Sequence, residues 1–403
     1  MRRNLIIAAI ALLIVIGLAV AAYVYFSRTT SVTVAPAGSA SLPVAGQKMP
    51  SAGTTSVVSD ASQTISGAPI MVSARLVKIS AGPVVPGVAV IDRKAANASS
   101  SPEVIVNYIE RQSGNVFSYL TRTKTLSRTS NRTIPGIQSA SWLPDGTTAF
   151  VRYLSGANFG TVNTYALRAN GSDGFFLPQD LADIAVSSTS VLALASGVNG
   201  SIASILRTDG TRATTAFSTS LSSLRISFAG KSTYLATTKP SAELSGDAFL
   251  VGVSGHFSRV AGPLDGLVVL SSHSGKWLLI SYTSGSTFRT ALINTATNET
   301  LPLPVATIAD KCVWNVDDSA VYCGVPSDPS AGYVYPDDWY QGAAHFSDRV
   351  WKIEVVGRYT NMVLDFSKET GVPLDTMAPA VDALNTTLVF VNKNDGSLWS
   401  YTL

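Results

Sequence analysis

A short polar turn followed by a hydrophobic strand recurs about every 43 residues in this 403-residue chain, and that regularity constrains the fold more than anything else in it. The turns are Ser99-Ser100-Ser101, Pro144-Asp145-Gly146, Ser187-Ser188-Thr189, Ala229-Gly230-Lys231, His273-Ser274-Gly275, Val316-Asp317-Asp318 and Leu384-Asn385-Thr386. From Ser101 through Asp145, Ser188, Gly230, Ser274 and Asp317 to Asn385 the intervals are 44, 43, 42, 44, 43 and 68 residues. The long last interval is one repeat plus an insertion. Each turn leads into a strand such as Val191-Leu192-Ala193-Leu194 or Trp277-Leu278-Leu279-Ile280, and most follow another, such as Cys312-Val313-Trp314.

Three or four short strands per 40–45 residues, with no helical pattern between them, are the signature of β-propeller blades. A single such sheet cannot hide both faces, whereas radially packed sheets bury each other's. The reading is an all-β, seven-bladed β-propeller over residues 70–403, with an insertion at about 326–348. Residues 397–403 form a strand without a hairpin of its own, and the missing hairpin is sought in residues 75–110. The closing blade is therefore expected to be shared by both chain ends, which protects two otherwise open edges. A pair of β-sandwiches, the alternative, would not require so even a period.

The run Trp142-Leu143-Pro144-Asp145-Gly146-Thr147-Thr148-Ala149-Phe150 resembles the core hairpin of the TolB-like and WD40-like propellers. Only this blade carries it well, and no blade has the Gly-His and Trp-Asp pair of true WD40 repeats. The resemblance implies architecture, and a scaffold that binds proteins or peptides as the commonest use of that architecture.

Ahead of the repeats, residues 5–26 carry no charge and follow Arg2 and Arg3. At 1.5 Å per residue they reach about 33 Å, enough to cross a bilayer core as one helix. Tyr23, Tyr25 and Phe26 suit the far headgroup layer, and the two arginines place residues 1–4 in the cytoplasm and the rest outside it. A cleaved signal peptide is the rival, but its apolar region is usually shorter. Residues 27–69, rich in Ser, Thr, Ala, Gly and Pro, read as a flexible linker. The expected location is a single-pass membrane protein with an extracytoplasmic propeller, fitting a bacterial surface or envelope. Four N-x-S/T sites, at Asn97, Asn131, Asn298 and Asn385, would permit a eukaryotic type II protein, but such short matches are expected by chance in a chain this rich in Ser and Thr.

Net charge is only +3 and no basic stripe exists, so nucleic acid is not an expected partner. The two cysteines flank one hairpin. A connection of four residues, 316–319, sets Cys312 opposite Cys323, close enough for a disulfide in an oxidising compartment. Two free thiols are the alternative, and a zinc site lacks the further ligands it needs.

Catalytic motifs are missing: there is no G-x-S-x-G elbow, and His256, His273 and His345 fall in turns or in the insertion. Asp328, Asp337 and Asp338 match no calcium loop, and neither metal nor cofactor is expected. The best functional lead is the insertion, with Tyr333, Tyr335, Asp337, Asp338, Trp339 and Tyr340 as candidate binding residues, since Tyr and Trp dominate binding hot spots. The same rings could instead fold back on their own blade. The leading reading is a protein-binding or envelope scaffold propeller. A glycan- or peptidoglycan-acting enzyme using carboxylates at the channel mouth, and a spacer in a surface assembly, are the alternatives.

Overall fold

A computed structural model describes residues 68–93, 103–285 and 287–403. They form seven antiparallel sheets. Six are contiguous four-stranded blades. Blade 1 runs from Ala89–Arg93 to Thr125–Arg128, blade 2 from Ile137–Trp142 to Phe175–Phe176, and blade 3 from Leu181–Val186 to Thr214–Thr219. Blade 4 runs from Leu224–Phe228 to Phe257–Asp265, blade 5 from Val268–Ser271 to Thr300–Pro302, and blade 6 from Cys312–Trp314 to Thr360–Asp365. In most blades the first strand touches the first strand of a neighbouring blade, so these strands line the central axis.

The seventh blade is shared, as the sequence suggests. Thr376–Val381, Thr387–Asn392 and Leu398–Thr402 pair in order, and Leu76–Lys78 adds the fourth strand from the other end of the chain. The two-residue strand Ile70–Met71 adds a fifth. The division of labour differs from expectation. Of residues 75–110, only Leu76–Lys78 joins the closing blade, while Ala89–Arg93 and Glu103–Ile109 open blade 1. The C-terminal strand is the third of its blade, which explains why it resembles Val116–Leu120, the third strand of blade 1.

Strand alternation builds the core. In Ser190–Gly197, Val191 and Ala193 pack towards blade 2 while Leu192 and Leu194 pack towards blade 4, all four buried. Each fully buried Leu is worth roughly 1.5–3 kcal/mol relative to exposure. The closing strand behaves alike: Leu398 joins Val106 and Tyr108 of blade 1, and Trp399 and Tyr401 join Tyr322 and Leu364 of blade 6. At one end of the ring the first hairpin turns interlock. A Cβ on Gly230 would lie 2.6 Å from the Ser274 carbonyl oxygen, and one on Gly275 2.5 Å from that of Ala229, so only glycine allows these two turns to nest.

Cys312 and Cys323 are directly opposed and disulfide-bonded, with Cα atoms 4.1 Å apart. The four-residue turn between their strands holds as read, with the Asn315 amide donating to the Ala320 carbonyl at 3.0 Å. The expected membrane helix at 5–26 and the linker up to residue 67 lie outside the described residues, as do the first turn, Ser99-Ser100-Ser101, and Asn97. Among the described residues, no helix is long and apolar enough to cross a membrane.

Candidate functional site

At the end of the ring where first strands begin and second strands finish, the loop 327–347 leaves blade 6 and lies over the axis. It contains one short helix, Asp337–Gln341. Trp339 and Tyr335 are buried with Phe346, Phe288 and Trp314 in one cluster, so both rings turn inwards, though against blade 5 as well as their own blade. Tyr333 stays 40% exposed and Val334 50%. Asp338 accepts a hydrogen bond from the Val334 amide at 2.7 Å, and Asp337 from the Ala242 amide of blade 4 at 2.8 Å. Both carboxylates thus fasten the loop, to itself and to blade 4, two blades away.

Two consecutive residues of a 3-10 turn, Ala309–Lys311, feed two charged clusters. Lys311 points inwards. Its ammonium pairs with Asp348 at 2.9 Å and with Asp375, and all three side chains are fully buried. Trp339 and Phe346 stack on each other at 6.5 Å and 18°, with the ammonium beside both, 5.0 and 4.9 Å from their ring centres. Such desolvated cation–π contacts add to the ion pairs. Asp375 also accepts from the Trp339 indole at 3.0 Å and from the Phe346 amide at 3.0 Å. Two carboxylates share one cation, and burial together with the Asp375 charge pushes Asp348 up to about 6 despite Lys311.

Asp310 points the other way, into the mouth. It pairs with Arg225 of blade 4 at 3.0 Å and accepts the Tyr340 hydroxyl at 2.8 Å. The Asp310 charge holds the Arg225 guanidinium above its ordinary value, and desolvation with the same charge holds the Tyr340 phenol well above its own. Asp183 of blade 3 accepts the Ile226 amide of blade 4 at 2.8 Å, and Arg152 of blade 2 lies 3.9 Å away. Burial raises Asp183 and lowers Arg152, in each case against the pull of its partner. These residues line a cavity of about 440 Å³ with Lys239, Asp337 and Gln341.

Of the residues expected from the sequence, Asp337 and Tyr340 meet in this cavity, Tyr333 stands on the surface of the same loop, and Tyr335, Asp338 and Trp339 build the platform beneath. Arg152, Asp183, Arg225 and Asp310 escaped sequence reading. A signal for two of them exists: Asp183 and Arg225 are charges embedded in otherwise uncharged first strands, Leu181–Val186 and Leu224–Phe228. All three histidines are exposed, and among the described residues no three His, Cys, Asp or Glu side chains group as a metal site.

No protein-family model matches the chain, and no curated protein does. Among solved structures it is similar to an oligogalacturonate lyase in complex with manganese, at 11% identity and a TM-score of 0.50, over 79% of this chain and 98% of that one. It is also similar to the hydrazine synthase of Kuenenia stuttgartiensis, at 14% identity and a TM-score of 0.50, over 74% of this chain and 92% of that one. At these identities the likeness is one of fold alone, and the chain is a seven-bladed propeller whose chemistry must be argued from its own residues.

Proposed function

We propose that the chain is a membrane-tethered, extracytoplasmic propeller that binds another protein through the mouth side of its ring. The observation that carries this is the pairing of a rigid platform with an exposed apolar rim. Trp339, Tyr335 and Phe346 are locked in the core, while Tyr333 and Val334 beside them face solvent. Leu244, 72% exposed, adds to the rim from the segment that Asp337 ties to the loop. A rigid aromatic on such a platform gives contact area with little ordering cost. The tether rests on residues 5–26, and the buried disulfide suits an oxidising compartment.

A photo-crosslinking residue placed at Tyr333 in intact cells tests the binding reading, with Val316, exposed in a turn at the other end of the ring, as control. A discrete adduct from position 333 and none from 316 supports it. No adduct from either leaves the spacer reading. Protease added to spheroplasts tests the topology, and should release the propeller as a soluble fragment.

The second reading, an enzyme acting on glycan or peptidoglycan, is favoured by one observation: Asp183, raised by burial, lines the same cavity as Asp310. Against it, Asp310 is neutralised by Arg225 and Asp183 is engaged by two backbone amides. Turnover of peptidoglycan that disappears in Asp183→Asn would reverse this preference.

A further inference from the structure

In the mouth cavity each acid is engaged by a donor, while one cation has no partner among the described residues and another keeps an unpaired N–H. Asp183 accepts from the Ile184 and Ile226 amides, Asp310 from Arg225 and Tyr340, and Asp337 from the Ala242 amide. By contrast the Lys239 ammonium, exposed at the cavity wall, has neither an ion-pair nor a hydrogen-bond partner among the described residues. Arg152 donates through one terminal nitrogen to the Leu181 and Ala182 carbonyls, but its Nε–H is buried without an acceptor, and the guanidinium's loss of hydration outweighs the attraction of Asp183. A desolvated cation and a free one on the wall of one cavity favour an incoming anion.

Resting on the protein-binding reading, we propose that this cavity receives the carboxylate of a Glu or Asp side chain from the partner protein. Charge number selects carboxylate over phosphate. Three acids and three cations line the same wall, so a singly charged carboxylate brings less uncompensated charge than a dianionic phosphoryl group. Shape agrees. Ala182, Leu224 and Pro240 give the cavity an apolar side against which the methylenes of a Glu side chain lie. Its volume of about 440 Å³ admits one or two side chains rather than a folded element.

The test uses the full chain in detergent micelles and fluorescein-labelled, end-blocked decapeptides of alternating Gly and Glu, Gly and Gln, or Gly and phosphoserine. Binding is read by anisotropy at low ionic strength. The Glu peptide should bind best, with the Gln peptide weaker by about tenfold or more, since a charge-assisted bond is lost. Lys239→Gln should weaken the Glu peptide about five- to tenfold, and Arg152→Gln similarly in protein whose thermal unfolding is unchanged. Lys276→Gln, in an exposed turn at the other end of the ring, should leave binding as it is. The inference is overturned if Lys239→Gln binds like wild type, if Lys276→Gln weakens binding equally, if Glu and Gln peptides bind alike, if phosphoserine binds tighter, or if no peptide binds. An adduct from position 333 beside any of these results removes the carboxylate site and leaves the binding reading standing.

Discussion

Asp310 and Lys311 are neighbours on one turn, and Trp339 and Tyr340 are neighbours on one helix, yet each pair is split between two clusters with opposite physics. Lys311 and Trp339 enter a sealed triad at the joint of blades 6 and 7, where no group reaches solvent. Asp310 and Tyr340 enter the mouth, where the side chain of Arg225 is 40% exposed and that of Asp310 22%. In the sealed cluster desolvation sets the energetics, so breaking a pair is costly while the pair itself adds little net stability. At the mouth the Asp310–Arg225 pair is partly exposed and water screens it in part, so that contact holds more weakly than the sealed one. One charged residue is therefore sealed in the core while its neighbour pairs at the partly exposed mouth.

The harshest test asks whether either cluster survives an open ring. Truncation after Asp395 removes Leu398, Trp399 and Tyr401, all buried between blades 6 and 1. The loss of several large buried side chains is comparable with the 5–15 kcal/mol that holds a typical domain together. The truncated protein should lose its cooperative thermal transition. Cooperative melting within a few degrees of the intact chain would show that closure by this strand is dispensable.

Next comes the contrast itself. Lys311→Met leaves Asp348 and Asp375 buried without their cation and should cost about 3–5 kcal/mol in chemical denaturation. Arg225→Met, its counterpart at the mouth, should cost about 1 kcal/mol or less. Equal costs would erase the distinction between the clusters.

The sequence made the regular half of this molecule legible and the irregular half not. Turn chemistry was readable because it is local: Asp145 accepts the Thr147 amide at 3.0 Å within the motif that marked its blade. The disulfide was readable because one short hairpin sets its register. The sealed triad was not, because Lys311 finds Asp348 and Asp375 far along the chain, and a lysine beside Asp310 reads as surface. The aromatic loop was visible as an anomaly of composition, but which rings turn inwards depends on partners from blades 5 and 7. Assigning residues 89–110 to the closing blade failed for a related reason: the repeat shows where strands fall and says less about which blade takes each one.

Acid titration sharpens the comparison further. The Asp348 carboxyl is raised from 3.8 to about 6 in the folded protein, so the folded state binds more protons than the unfolded one between those values. Stability from this group is therefore fully present below about pH 4 and falls as pH rises to about 6, the reverse of an ordinary salt-bridged acid. A shift of two units corresponds to a few kcal/mol, on the order of 3. Other groups add their own slopes, so the readout is a difference. Asp348→Asn, compared with wild type by denaturation at pH 4 and pH 7, should gain relative stability at the higher pH. A pH-independent difference would mean that Lys311 holds Asp348 charged throughout.

The smallest expected effect belongs to the mouth. Tyr340→Phe removes one hydroxyl that donates to Asp310 at 2.8 Å, and the Arg225 pair remains to satisfy the carboxylate. The net value of such a bond is about 0.5–1.5 kcal/mol, and the partial exposure of Asp310 lets water replace the lost donor, which favours the low end. Trp339→Phe, one residue earlier, removes an indole that donates to buried Asp375, where no water can follow, and it also shrinks a ring packed against Lys311. That change should cost at least twice as much. Because the two substitutions lie side by side on one five-residue helix, helix propensity and loop length are shared, and the ratio isolates burial as the cause. A Tyr340→Phe cost equal to that of Trp339→Phe would mean that the mouth is as dry as the core. Asp310 and Arg225 would then be a structural pair, and the cavity beside them would lose its standing as a place where a partner's side chain can enter.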